Sequence, residues 1–457
     1  MLGVKTVGNA TLIAYDQIPV LATDPWFGDE DDAFFGSWGL SHRIPAAERT
    51  DIQKAKYIWF SHGHPDHLNP RSIERLRHLS ILLPDHVGSR IRNDLEAQGY
   101  DVKTLPDSRW VQLSKRIKVF CCPDYIQDAV LLVDVGGRLF IDMNDADARA
   151  HLRVIRSIAR EFRYSYLLRL SGYGDAGMIN FFDPNGNRIE RKVDPLVGRW
   201  LALYARRVGA KSVIPFSSFH RFQREDSAWA NRYTTPLSAY WDGFDERLAE
   251  FIAPFVSIDC ASGEILNLDP PEAPFSLHKP EEFGDSWSDE LGGDDKRVLD
   301  DYFRRKEMLH DMLGFVRFSV GGKSHTIDLG GPRDRGITFA VPRNSLMTAV
   351  THKVFDDLTG GNFMKTTLHN LESLYDSRSL SSPNFNAIVG KWGDNGGAET
   401  KSQLKSYLAE YSSRVSRADW FLHNLMLEGQ TRFRRYVRKD SRFYTLAQDV
   451  YRRALRS

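Results

Sequence analysis

Cysteine is scarce in this 457-residue chain, which carries Cys121, Cys122 and Cys260 and no others. Three thiols cannot build a disulfide framework, and an odd count in so long a chain points to a reducing compartment. No Cys-x-x-Cys pair exists, so neither a zinc ribbon nor a thiolate iron–sulfur site is expected. Long hydrophobic runs are missing too. No apolar stretch approaches the ~20 residues that a bilayer span needs, and the N-terminus lacks a basic segment followed by an apolar one. A cytoplasmic protein without membrane contact is the expectation. Charge of one sign is not in excess either: 61 Lys and Arg face 60 Asp and Glu, a net +1. That balance gives no general attraction to nucleic acid and leaves a small molecule as the expected partner. The length exceeds what one ordinary core supports, so more than one domain is expected.

What the chain does have is Trp59-Phe60-Ser61-His62-Gly63-His64-Pro65-Asp66-His67. Three imidazoles and a carboxylate follow directly on the apolar run Tyr57-Ile58-Trp59-Phe60, which reads as a buried strand. Gly63 and Pro65 forbid a regular helix or strand through the cluster. The side chains must therefore fan out from a tight loop at a strand end, a geometry suited to a metal. A lone histidine is more often a satisfied polar residue than a ligand, but four ligand-type side chains at one strand end arise much less easily by chance.

The flanking sequence fits an enzyme built from α/β layers. Residues 1 to 27 read as two strands, the second closing on Thr23-Asp24-Pro25-Trp26. Asp24 there either accepts a hydrogen bond from a ligand histidine or opens an Asp-Pro turn. Residues 28 to 56 form a long polar and aromatic excursion, the kind of loop that walls a pocket. Asn69-Pro70 opens a helix, and strands and helices then alternate. Three strands between Ile117 and Ile141, the last two joined at Gly136-Gly137, end in acidic loops that hold Asp124 and Asp145. No histidine occurs from Gly88 to Ala150. Leu168 to Gly177 is glycine-rich, matches neither a P-loop nor a dinucleotide fingerprint, and lets backbone approach a substrate closely. A later strand ends in His220. Residues 266–310 read as a linker or wrapping segment. Beyond it, a small antiparallel sheet is expected near 314–320, 324–329 and 337–341, then helices over 344–358, 402–412 and 417–455. The basic run in the last of these is most simply a solvated face. The resulting division is 1–265, 266–310 and 311–457.

The loop pattern His-x-His-x-Asp-His resembles the metal signature of the metallo-β-lactamase superfamily. Within it, residues 20 to 265 look most like the catalytic part of the CMP-N-acetylneuraminic acid hydroxylases. The shared features are Thr-Asp-Pro-Trp at 23–26, Ser-His-x-His-x-Asp-His at 61–67, the acidic loop ending at Asp145, Ser-Gly-x-Gly-x-x-Gly at 171–177 and Pro-Phe at 215–216. The resemblance implies an αββα sandwich followed by a smaller, mainly helical α+β domain. It implies that His62 and His64 hold one ion and that Asp66 and His67, completed by His220, hold a second. Asp145 would bridge the two, and Asp66 and Asp145 would be the catalytic carboxylates.

The third histidine of the pattern is absent. Asp124 stands at its junction, with Asp128 as the fallback, unless Asp124 serves only its turn. A carboxylate at that place resembles the diiron amino-acid β-hydroxylases of the same fold. Two expectations follow: a dinuclear iron oxygenase with O₂ as co-substrate, or a dinuclear zinc hydrolase of an ester, lactone or phosphodiester. The related hydroxylases also carry a Rieske domain, for which this sequence has no ligands, so electrons are expected from a separate electron-donor protein or from the substrate. Arg43, Arg169 and Arg221 favour an anionic substrate, with Arg169 and Tyr173 as its contacts. The C-terminal part would serve as a homodimer interface, a hydrophobic-ligand domain or a docking surface for a reductase.

Overall fold

The computed structural model describes residues 1–170, 179–189, 196–371, 385–421 and 423–424. Two sheets dominate the first half. One has eight strands in the order Ile265–Asn267, Val256–Asp259, Leu2–Val7, Thr11–Asp16, Ile18–Thr23, Tyr57–Trp59, Ser80–Pro84 and Asp101–Leu105. The other has seven, in the order Glu250–Phe251, Ser212–Phe216, Tyr164–Leu170, Arg138–Asn144, Ala129–Val135, Ile117–Pro123 and Trp110–Gln112.

Side-chain alternation explains why they stack. In Ala129–Val135, Ala129, Leu131 and Val133 face the first sheet, where they join Val4, Leu12, Leu21 and Trp59. Val130 and Leu132 face the opposite way, against Ile155, Ile158, Leu201 and Ala205 of two helices, Leu152–Glu161 and Val197–Val208. A strand buried on both faces must be apolar where it is covered, and this one is from Ala129 to Val133, with Asp134 half-buried near its end. The outer face of the first sheet is covered by Ile52, Ile73 and Leu95 from three further helices. Each such side chain contributes roughly 1.5–3 kcal/mol on full burial. The result is the expected αββα sandwich.

Residues from about 293 onward, joined by Tyr125 and Phe181, build a second core. Its five-stranded sheet runs Phe181–Phe182, Lys365–His369, Gly336–Ala340, Phe315–Val320, Lys323–Asp328. The sheet is mixed, not antiparallel as the sequence suggested: Phe315–Val320 and Gly336–Ala340 run parallel. After the hairpin to Lys323–Asp328, a short loop through Gly330 (φ +73°) recrosses the strand end, so the next strand enters from the same side as the first. The helix expected over 344–358 is two, Arg343–Thr351 and Phe355–Gly360, broken at Lys353 (φ +55°). The stretch expected as linker carries the helix Gly293–Arg304, whose Leu299, Tyr302 and Phe303 pack into this core. A nine-residue π-helix, Ala387–Asn395, and the helix Lys401–Arg414 complete it. Among the described residues, no helix is long and apolar enough to cross a membrane. Tyr173, most of the expected helix over 417–455 and the basic run within it lie outside the described residues.

Candidate metal centre

Neighbouring strand ends assemble the site. Ile18–Thr23 and Tyr57–Trp59 run parallel with Thr23 opposite Trp59, so Asp24 and the 61–67 loop emerge side by side. Asp24 is fully buried. Its carboxylate accepts from the Ser61 amide (2.7 Å), the Ser61 hydroxyl (2.7 Å) and the Asn144 side chain (3.1 Å), and it lies 3.0 Å from His67 Nδ1. The far end of the loop is fixed by Asn69, whose Oδ1 accepts from the amides of Arg71 (3.1 Å) and Ser72 (3.0 Å) to cap the helix Pro70–Glu74. Asp145 comes from the second sheet, just past Arg138–Asn144, and accepts from the Ser217 hydroxyl at 2.8 Å. Asp24, Asn144, Ser217 and Ser218 all have positive φ, and such strain gathers where side chains must be aimed.

These strand ends converge on two groups that share one carboxylate. His62, His64 and Asp145 form the first, Asp66, His67 and Asp145 the second; His64 also forms a third group with Asp356 and Asp357, and within each group the ligand-type atoms lie within 4.8 Å of one another. His62 Nε2 faces His64 Nδ1 at 2.8 Å. His67 Nε2 lies 3.4 Å from Asp66 Oδ2 and 3.6 Å from Asp145 Oδ2. Electrostatics follow from this crowding. Burial opposes charge on His67, but Asp66, Asp24 and Asp145 together hold its pKa well above the usual imidazole range. Burial, then the neighbouring His67, His64 and Lys391, push His62 well below that range. Burial would raise Asp145, but His67 and the Ser217 hydroxyl hold it low.

The arrangement fits metal ions. His67 Nε2 and Asp66 Oδ1 are buried atoms with no hydrogen-bond partner, a costly state for polar groups that a cation between them would relieve. Imidazole nitrogen mixed with carboxylate oxygen is a donor set for divalent first-row metals. His62, His64, Asp66, His67 and Asp145 would hold them.

The other expected residues are distributed differently. Asp124 Oδ1 accepts from the amides of Ile126 (2.9 Å) and Asp128 (3.1 Å), a turn-holding role. The carboxylate placed against His62 is Asp128, 3.6 Å from Nδ1. His220 is buried and stacks on Trp38 with ring centroids 3.4 Å apart and planes 3° from parallel; it belongs to neither group of ligand atoms. Arg169 donates to the Ala146 carbonyl at 2.5 Å and lies 3.7 Å over the Tyr204 ring. Arg221 pairs with Glu272 at 2.6 Å. The Arg43 amide donates to the Pro271 carbonyl. The 28–56 loop does wall the site: the Phe34 ring lies 6.0 Å from that of His64.

Two residues of the centre were invisible to motif reading. Asp356 Oδ2 lies 3.3 Å from His64 Nε2, and Lys391 Nζ is 3.3 Å from the same nitrogen. Burial would lower the Lys391 pKa, but Asp128, Asp356, Asp124 and Asp357 raise it. One signal did exist, a single cation within the otherwise apolar run Ala387-Ile388-Val389-Gly390-Lys391-Trp392.

An αββα sandwich that presents His-x-His-x-Asp-His at one strand end and an aspartate from the facing sheet has the metallo-β-lactamase architecture. No family model matches the chain. It is similar to the cytidine monophosphate-N-acetylneuraminic acid hydroxylase of Asterias rubens, 29% identical over 135 residues that make up 28% of this chain and 20% of that protein. The Sus scrofa hydroxylase is 25% identical over 131 residues, 27% of this chain and 30% of the relative. The match thus spans less than a third of either relative. Similar solved structures include CmlA, a diiron β-hydroxylase from Streptomyces venezuelae (14% identity, TM-score 0.38, 58% of this chain and 54% of that one). A possible metal-dependent hydrolase from Veillonella parvula is another (12% identity, TM-score 0.39, 59% and 100%).

Proposed function

We propose that this chain is a dinuclear non-haem iron oxygenase that hydroxylates a small, polar metabolite. The observation that carries the reading is the carboxylate content of the centre. Asp66 and Asp145 lie among three imidazoles, with Asp128 and Asp356 directly behind two of them. Two histidines and one carboxylate with open positions, the set formed by His62, His64 and Asp145, suit non-haem iron, and the second group adds a further carboxylate. The similarity to hydroxylases over about a quarter of the chain points the same way. When bound, a pair of irons would supply the redox chemistry that activates O₂.

The chain's own residues do the rest. Phe34, whose ring lies 6.0 Å from that of His64, forms one wall. Asp24 fixes the His67 ring, and Ser217 fixes Asp145. The side chains of Asp145 and His64 stay 25% and 19% exposed, which makes their side the approach for a substrate. Hydroxylation consumes two electrons and two protons beyond the substrate and O₂, so a separate donor protein belongs to this reading.

Protein purified from cells supplied with both iron and zinc tests it. About two irons per chain with an antiferromagnetically coupled Mössbauer signature is the expected result. Two zincs, retained in preference to iron on reloading, would overturn it in favour of an ester, lactone or phosphodiester hydrolase.

A further inference from the structure

We propose that the C-terminal module builds part of the metal centre. In this proposal Asp356 is the positioning residue for His64, and Lys391 ties Asp356 to Asp128 behind His62. The inference rests on the 61–67 loop being a metal site but not on which metal it holds.

The three loop imidazoles follow one pattern. A neutral imidazole offers one lone pair to a metal, and its other nitrogen carries a proton that needs an acceptor. His67 turns Nε2 toward Asp66 and Asp145, and its Nδ1 meets Asp24 at 3.0 Å. His62 turns Nε2 toward His64, and its Nδ1 meets the Ser61 hydroxyl at 2.8 Å and Asp128 at 3.6 Å. His64 turns Nδ1 toward His62, and its Nε2 meets Asp356 at 3.3 Å. Asp24 and Asp128 belong to the sandwich, but Asp356 opens the helix Phe355–Gly360 of the C-terminal module, 292 residues along the chain from His64.

Lys391 completes the connection. Its ammonium lies 3.3 Å from His64 Nε2 and, having donors only, faces two carboxylates at ion-pairing distance. Asp128 Oδ1 and Asp356 Oδ2 each lie 3.9 Å away. The π-helix that carries Lys391 is anchored from behind by Lys306 on Asp394 at 2.8 Å and by the Trp392 indole on the Tyr125 carbonyl at 2.9 Å. It also packs bare backbone against Asp356: a Cβ at Gly390 would stand 2.6 Å from Asp356 Cγ. The carboxylate is therefore held by Gly390 on one side and aimed at His64 on the other.

The test titrates the metal-free full-length chain with Co²⁺ alone, followed by circular dichroism and by the exchangeable, paramagnetically shifted imidazole N–H resonances. The wild type should take two ions. Asp356→Ala should bind one of them roughly 10–100-fold more weakly, leave the other unchanged and lose or move one N–H resonance. Asp356→Asn keeps an acceptor and should restore most of the affinity, and Gly390→Ala should give an intermediate loss by displacing the carboxylate. Lys391→Met should weaken the same ion. Two ions bound to Asp356→Ala with wild-type affinities and unchanged resonances would overturn the proposal. So would Asp356→Asn, folded by circular dichroism, behaving no better than Asp356→Ala; Gly390→Ala supplies the same decision if Asp356→Ala does not fold. A wild type that cannot take two ions would instead overturn the reading of the loop itself.

Discussion

Lys306→Met should be among the most destabilising single changes in the C-terminal core. Lys306 has no exposed side-chain surface and Asp394 only 1%, with Nζ 2.8 Å from Oδ1. The Tyr302 hydroxyl donates to the other carboxylate oxygen at 2.5 Å, and Glu399 lies 3.7 Å from the ammonium. Burial pushes the Asp394 pKa up, and Lys306 is the largest influence pulling it back. Methionine fills much the same volume but leaves that carboxylate with one neutral donor, and a buried charge stripped of its partner costs about 3–5 kcal/mol. Lys306→Met/Asp394→Asn removes both charges and should cost only about 1–2 kcal/mol, because replacing both partners avoids the stranded charge. Asp394→Asn strands the ammonium in turn, so the two single losses together should exceed the double loss by at least about 2 kcal/mol, which is the coupling between the sites. Urea unfolding at fixed metal concentration measures it, provided the slopes agree among variants. A cost below about 1 kcal/mol for the single change, or a double variant as damaged as the sum of the singles, would refute the reasoning.

Three further outcomes are expected. Asp24→Ala should weaken metal binding at Asp66, His67 and Asp145 by about 10–100-fold, because the His67 ring loses its anchor; a metal titration with unchanged affinities would contradict this. His86→Gln should flatten the acid limb of stability. Burial depresses the His86 pKa from 6.5 to about 3, so the unfolded chain takes the proton first. Stability from this group is complete above pH 6.5 and is lost as pH falls toward 3, by up to ~1.4 kcal/mol per unit. Denaturant melts between pH 4 and about 7 check the slope, and identical slopes for the two proteins would dismiss it. Gly360→Ala places a Cβ 2.6 Å from the Phe34 ring and should cost about 1–3 kcal/mol while shifting the wall beside His64. A thermal melt and turnover at the wild-type level would show that the contact yields freely.

Much of the sandwich was legible because its determinants are local. An apolar strand followed by Gly63 and Pro65 within a cluster of ligands admits few structures, and Asn69-Pro70 marked the helix behind it. Asp24 could be named as a histidine acceptor through the resemblance of Thr23-Asp24-Pro25-Trp26, beside the alternative of an Asp-Pro turn, and the parallel pairing of its strand with Tyr57–Trp59 puts it next to the loop. Asp356 and Lys391 carried no comparable mark, because their meaning arises only when a distant helix docks, and docking is a property of tertiary packing. Asp124 and Asp128 show a finer limit. They are four residues apart in one turn, and only the turn's hydrogen bonds decide which carboxylate holds the backbone and which lies beside His62. The mixed sheet was misread for a related reason: alternation reports a strand and its faces, but strand direction depends on how a connecting loop crosses.

The pairing of Phe181–Phe182 with Thr366 and Thr367 bears on how the protein is made. That edge strand is synthesised well before its partner, and at roughly 5–20 residues per second the wait on the ribosome is roughly 10–40 s. The sandwich strands on either side of it, Tyr164–Leu170 and Ser212–Phe216, can pair during that interval because both are already out. Phe181 and Phe182 must stay exposed until the rest of their sheet emerges. A chaperone that shields them, or slow translation after residue 371, would thus change the yield of native protein without touching a single contact in the finished fold.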